Sequence, residues 1–293
     1  MAAIHADEGG DPIRAARAEL RVERRRVVDE REAFRAFRGR VSSIPSEDGS
    51  VGPSDAASAD AFGGGALGGG ALGGATADPG TVRASPGSRL VAVRDAYRAT
   101  VMSVPHYAEE YDDTYERSVA EEFGPELAYA LTRTNSFHEA YKRSLLSAVE
   151  TAVQEREAFL DALESETESV ERAASRLEPI RREIESIDDE LGEGNSGGDE
   201  TEGEVRTPTF GALDACRTRT AALREDCDRI AARRQRVLAD HERRLALGDE
   251  VDLPGYCYQD LDVSYPVLAA VGAVGDQIEG LRGRIERAMA RAR

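Results

Sequence analysis

The chain contains no tryptophan, one lysine (Lys142), three cysteines and only 5% aromatic residues across 293 positions. So little aromatic volume argues against a thick globular core and suits thin helical packing, in which Leu, Val, Ile and Ala fill narrow seams. Cys216, Cys227 and Cys257 are too few and too scattered for a disulfide framework. Long hydrophobic runs are missing too. The longest chargeless stretches are 61–77, which glycine dominates, and 263–275, which is shorter than the about 20 apolar residues a membrane helix needs. The opening MAAIHADEGGDP has neither a basic n-region nor an apolar h-region, so no signal peptide is expected and the cytoplasm is the expected compartment.

Lysine depletion accompanies an acid excess, 56 Asp and Glu against 38 Lys and Arg, for a net charge of −18. Together they point to a salt-rich cytoplasm, where dense carboxylates hold water and their mutual repulsion is screened. The blander alternative is an acidic mesophilic protein with GC-biased codons.

What the chain does have is a seven-residue apolar repeat in four separated segments. In the first, Ile13, Leu20, Val27, Phe34 and Val41 fall every seventh residue, with Ala16, Phe37 and Ile44 three further on. Alternating steps of three and four keep one narrow stripe facing a partner helix, the seam of a coiled coil. Pro12 suits a first helical turn and Pro45 stops the helix, giving a rod of roughly 50 Å at about 1.5 Å per residue. Its outer faces are basic: Arg14 to Arg40 spans ten arginines against five acids.

A second stretch runs from Ser85 to Pro105. Ser136 and Glu139 then form a capping-box pattern that opens a long helix to Glu178, with a seam of Leu146, Val149, Val153, Leu160, Leu163, Val170, Ala174 and Leu177. Pro179 is expected to kink or restart it, with the register moving one step to Ile180, Ile184, Ile187 and Leu191. The third long seam is Leu213, Cys216, Thr220, Leu223, Cys227, Ile230 and Val237, and the last is Val267, Val271, Val274, Ile278, Leu281 and Ile285. No segment alternates with period two, so the fold class is all-α.

Two stretches bury too little to offset ordering entropy. Residues 46–84, rich in Gly, Ser and Ala, read as a flexible linker, and the acidic 192–208 as a disordered loop. The linker matches G-x-G-x-x-G twice, at Gly63–Gly65–Gly68 and Gly68–Gly70–Gly73, but a dinucleotide loop needs a strand before it and a helix after it, and neither is present. The domain expectation is therefore an N-terminal heptad helix (1–45), a disordered linker (46–84) and a helical bundle (85–293) interrupted at 192–208.

Catalytic and metal motifs are incomplete. His138-Glu139 and His241-Glu242 each open like H-E-x-x-H, but Lys142 and Leu245 stand where the second His belongs, so both imidazoles are expected on helix flanks. Cys216 and Cys227, eleven apart, lie about 16 Å from each other along one helix and read as seam residues. Cys257 has tyrosines and Asp260 as sequence neighbours, with no cation to favour thiolate. The segment around His106, PHYAEEYDDTYERSVAEEFG, offers carboxylates and an imidazole to a hard cation, against the alternative of a hydrated acidic surface. Tyr107, Tyr111 and Tyr115 at four-residue spacing suggest an aromatic stripe. Residues 210–247 hold nine arginines against six acids, a weak case for nucleic acid, since phosphate affinity falls steeply with salt. No residue is assigned as catalytic, cofactor-binding or metal-binding.

Glu121–Leu127 (EEFGPEL) and the element made by Tyr258, Leu261, Tyr265, Pro266, Val267 and Leu268, with arginine-rich helices between them, resemble a haloarchaeal family of uncharacterised coiled-coil proteins. The resemblance implies a halophilic archaeal origin and a helical fold. It brings no activity, substrate or catalytic residue.

The expectation is thus an all-α bundle of long antiparallel helices, with 136–178 and 209–247 as a hairpin. It would act as a non-catalytic scaffold or interaction protein, without cofactor, pairing with itself or another helical protein. A DNA-associated regulator using Arg-rich helices is the alternative, and no membrane association is expected.

Overall fold

A computed structural model describes residues 11–47, 87–192, 208–245 and 252–292. The expected linker 46–84 and loop 192–208 fall almost wholly outside them. The fold is all-α: the described residues form nine α-helices and no strand, apart from one isolated bridge between Glu47 and His138. The helices are α1 (Pro12–Ser43), α2 (Ser88–Arg98), α3 (Tyr107–Glu110), α4 (Tyr115–Phe123), α5 (Pro125–Arg133), α6 (Glu139–Gly192), α7 (Phe210–Leu245), α8 (Leu253–Cys257) and α9 (Pro266–Arg291).

Local chemistry sets several boundaries. Pro125 and Pro266 sit in first turns, where the missing N–H costs nothing. Gly124, at φ 85°, takes the left-handed turn between α4 and α5 that a side chain would resist. Thr114 caps α4 by accepting from the Arg117 amide at 3.4 Å. Asp112, at φ 42°, breaks the chain between α3 and α4, so Tyr107, Tyr111 and Tyr115 do not share one helical stripe as expected.

The chain divides into two compact units, Met1–Val28 with Ala158–Arg293, and Asp29–Glu157. The first unit packs the start of α1, the later part of α6, and α7, α8 and α9 around one apolar cluster. Ion pairs give the directions. Arg219 meets Glu183 and Arg234 meets Glu166, so α7 runs against α6, along a stretch that extends past the expected partner segment 136–178. Arg17 on Glu171 and Arg181 near Asp11 set α1 antiparallel to α6 as well. Tyr258 beside Glu166 and Arg284 on Asp188 carry α9 in the direction of α6.

Helix α6 does not restart at Pro179; it continues through it. The register does not shift either. Two stripes keep a strict seven-residue step along its length: Val149, Arg156, Leu163, Val170, Leu177, Ile184, and Leu145, Ala152, Phe159, Glu166, Ala173, Ile180, Ile187. Leu177 and Ile180, on either side of the proline, are 1% and 4% exposed. Their burial works against the roughly 3 kcal/mol penalty of an interior proline.

The second unit gathers most of the chain's aromatic rings. Phe37 lies edge-on to Tyr97 (5.1 Å between centroids) and stacks on Phe123 (6.2 Å), and Tyr97 meets Tyr115 at 5.6 Å. The scarcity read from composition is real, but the few rings are concentrated in one core. Within this unit α1 again opposes α6, as Arg35–Glu157 and Arg38–Glu150 show. Lys142 on α6 donates to the Ser42 and Ile44 carbonyls at 3.0 and 2.7 Å, satisfying groups that the end of α1 leaves open.

Candidate functional site

Each long stripe is apolar except at isolated slots, and the side chains in those slots meet. In α1 the series Ala16, Glu23, Glu30, Phe37 places two carboxylates on the buried face; in α6 Arg156 and Glu166 interrupt the two stripes; in α7 the series Leu213, Thr220, Cys227, Arg234, His241 ends in two polar residues. Sequence reading gave no seam place to Glu23, Glu30, Arg156, Glu166, Arg234 or His241, because it followed apolar residues. Continuing the seven-residue counts through Ala16, Leu163, Ala173 and Cys227 would have found them.

In the first unit Glu166 is the hub and is fully buried. Arg234 grips it with two parallel bonds, Nη1 to Oε2 at 2.7 Å and Nη2 to Oε1 at 2.6 Å, and Nη1 also donates to Ser169 at 3.0 Å. Tyr258 donates to Oε1 at 2.6 Å. His241 is buried rather than on a flank, which corrects the sequence expectation: its place seven residues after Arg234 puts it on the inner face. Its Nδ1 lies 3.6 Å from Glu166 Oε2, and its Nε2 lies 3.1 Å from the Ser165 hydroxyl. Burial, reinforced by the Glu166 charge, pushes the Tyr258 hydroxyl far above its ordinary pKa. Beside this cluster Glu23 accepts from Tyr256 at 2.9 Å. Burial, with Glu23 and Glu166 nearby, pushes the Cys257 thiol up to about 12.

Ser165, His241 and Glu166 thus share the order of a hydrolytic triad, hydroxyl to Nε2 and Nδ1 to carboxylate. The surroundings oppose that chemistry. Glu166 already receives three short bonds, from Arg234 and Tyr258. Ser165 lies inside α6, where backbone amides are consumed by helical bonds and cannot stabilise an oxyanion. The cavity lined by Ser169 and Arg234 measures about 20 Å³, room for water and not for a substrate.

In the second unit Glu30 is the hub. Its Oε1 takes the His106 Nε2 and the Tyr111 hydroxyl, both at 3.1 Å, and its Oε2 receives Arg156 Nε at 3.3 Å. Arg156 also donates to Glu122 at 2.7 Å and stacks over Phe34 at 4.6 Å. Burial raises the Glu122 carboxyl, and Arg156 pulls it back. The same burial disfavours charge on Arg156, but Glu122 and Glu30 outweigh it and keep the guanidinium protonated. Glu110 completes a trio with Glu30 and His106 whose ligand atoms lie within 4.8 Å of one another. The sequence singled out His106 and its acidic neighbours; it missed Glu30, which comes from α1, 76 residues away.

The remaining sequence candidates take structural places. His138 is exposed at the start of α6, 5.7 Å from the Tyr141 ring, and Lys142, where a second ligand would stand, clasps α1. Cys216 and Cys227 are buried in the seam, and burial raises both thiols. Five α7 arginines besides Arg234 are paired: Arg217 with Asp214, Arg219 with Glu183 and Glu190, Arg224 with Asp228, Arg229 with Asp226, and Arg243 with Asp240. Among the described residues no helix is long and apolar enough to cross a membrane.

Fold and clusters together define an all-α protein of long helices whose apolar stripes are broken by paired charges. The chain belongs to the family described as Domain of unknown function (DUF7260), whose model matches residues 11–282 and so includes both elements on which the sequence resemblance rested. No curated protein and no solved structure matches it.

Proposed function

We propose that the chain is a non-catalytic helical scaffold or interaction protein of a salt-rich cytoplasm. The observation that carries this reading is the closure of its buried ionisable groups on one another. Arg234 and Tyr258 saturate Glu166, and the three thiols are shifted away from thiolate. Such groups hold helices in place and have no capacity to spare for a substrate. The acid-dense, single-lysine composition supports the salt-rich setting and a halophilic archaeal source.

The DNA-associated reading is weakened by the pairing of the α7 arginines, since a guanidinium held by a carboxylate has less to offer a phosphate. One preparation in molar KCl tests both points. Labelling with a fluorophosphonate, which reports an activated serine, is expected to leave Ser165 unmodified, and mass measurement is expected to show no DNA complex. Labelling that disappears in Ser165→Ala, or a DNA-dependent rise in mass, overturns the scaffold reading.

A further inference from the structure

We infer that the groove between α6 and α7 in the first unit holds an oxyanion, the phosphoryl group of a small ligand, over Arg172, Arg176, Arg233 and Arg234. The inference goes beyond the scaffold reading and is independent of it.

Helical spacing and the hairpin register bring these four side chains together. Arg172 and Arg176 stand one turn apart on α6, and Arg233 and Arg234 come from α7, where the ion pair between Arg234 and Glu166 fixes the alignment. The cavity of about 20 Å³ between the helices is lined by seven residues; four are these arginines and none is acidic. That concentration of positive charge belongs to a chain whose net charge is −18.

Half of the charge is already neutralised. Glu168 holds Arg172 at 2.8 Å, and Glu166 holds Arg234. Arg176 and Arg233, both exposed, make no hydrogen bond or ion pair among the described residues. Two positive charges are therefore left at the mouth of the cavity, and like charges one helical turn apart repel. An oxyanion between them relieves that repulsion. The guanidinium also suits this ligand, because its planar fork matches two oxygens of a phosphoryl group at once.

A second observation comes from the floor of the same cavity. Arg234 lines it and is only 2% exposed. Its two Nη groups bond to Glu166 and Ser169, but its buried Nε has no partner among the described residues. A buried donor left open normally marks a missing water or ion. The cavity has room for one water, which links Nε to an oxyanion held above it by Arg176 and Arg233. The rest of the ligand has space in an adjoining groove of about 550 Å³, which shares Arg176 and Ile230 and is bordered by Pro179, Ile180 and Leu223. A nucleic acid is a poorer fit: two open guanidiniums answer one phosphoryl group, whereas a polymer needs a row of such contacts.

The test is isothermal titration calorimetry of the full chain with inorganic pyrophosphate in about 1 M KCl, where a Debye length of about 3 Å leaves only direct contacts effective. Saturation at one pyrophosphate per chain is expected. Arg176→Gln and Arg233→Gln should each weaken binding at least fivefold, and the two together should abolish it. Arg182→Gln, also exposed on α6 but paired with Glu178 outside the cluster, is the control and is expected to bind as the parent does. Circular dichroism confirms that each variant keeps its helices. The absence of saturable binding, or an equal loss in Arg182→Gln, overturns the site and leaves only a solvated basic patch.

Discussion

Replacing Arg234 by Met should cost the first unit about 3–5 kcal/mol, the usual penalty for breaking a buried ion pair from one side. The side chains of Arg234 and Glu166 are 1% and 0% exposed, so the stranded carboxylate has no bulk water to turn to. Tyr258 still donates at 2.6 Å, but the two bonds from the guanidinium are lost. Thermal unfolding followed by circular dichroism at 222 nm should move down by roughly 6–20 °C for a unit of this size. The informative comparison is the triple variant Glu166→Leu, Arg234→Met, Tyr258→Phe. It removes the charges, the hydroxyl and the buried Arg234 Nε, which has no partner. That variant should return to within about 2 kcal/mol of the parent, because apolar replacement of a buried pair is often neutral. Single costs and multiple cost would then differ by several kcal/mol, the mark of groups acting as one unit. The loss in Arg234→Met should also be equal in 0.15 and 2 M KCl, since buried charges are poorly screened. A cost below about 1 kcal/mol, or one that fades with salt, would refute the reasoning.

Three further outcomes are expected. Stability should fall from about pH 9 upward: burial holds Cys257 up at about 12 and Tyr115 up at about 12, so the unfolded chain releases these protons first and gains as the pH rises toward the folded values. A urea-unfolding series between pH 8 and 11 measures this, and a flat profile contradicts the assigned burial. In α9, a Cβ at Gly272 or Gly280 meets nothing within 4 Å, so Gly272→Ala with Gly280→Ala should stabilise by about 1–2 kcal/mol in urea denaturation. Leu163→Asp, which places a charge at a 0% exposed slot, should abolish cooperative melting of the first unit, whereas Arg182→Gln, on an exposed i, i+4 pair, should shift stability by less than about 0.5 kcal/mol.

The helices were readable from the sequence because apolar side chains at steps of three and four have no other physical use than a buried stripe. Ile13 through Val41, Leu213 through Ile230 and Val267 through Ile285 are buried much as their spacing required. The interruptions were harder to read. A Glu or Arg in a helix is normally solvated, so Glu30, Glu166, Arg156 and Arg234 carried no local sign of burial; only their place in the seven-residue count did. His106 was visible as a lone imidazole among acids, but its partner Glu30 belongs to another helix, and no spacing rule connects them. Pro179 misled for the opposite reason: a local rule predicts a break, and flanking burial overrode it.

The clasp between Lys142 and the last carbonyls of α1 has a practical consequence. Amine-directed reagents find only one side chain on this molecule, and that amine is already occupied by two backbone oxygens. An acyl group placed there would remove the charge and leave one N–H for two carbonyls, loosening the end of α1. A single covalent modification could therefore report on, or weaken, the tie between two distant stretches of chain without altering any other residue.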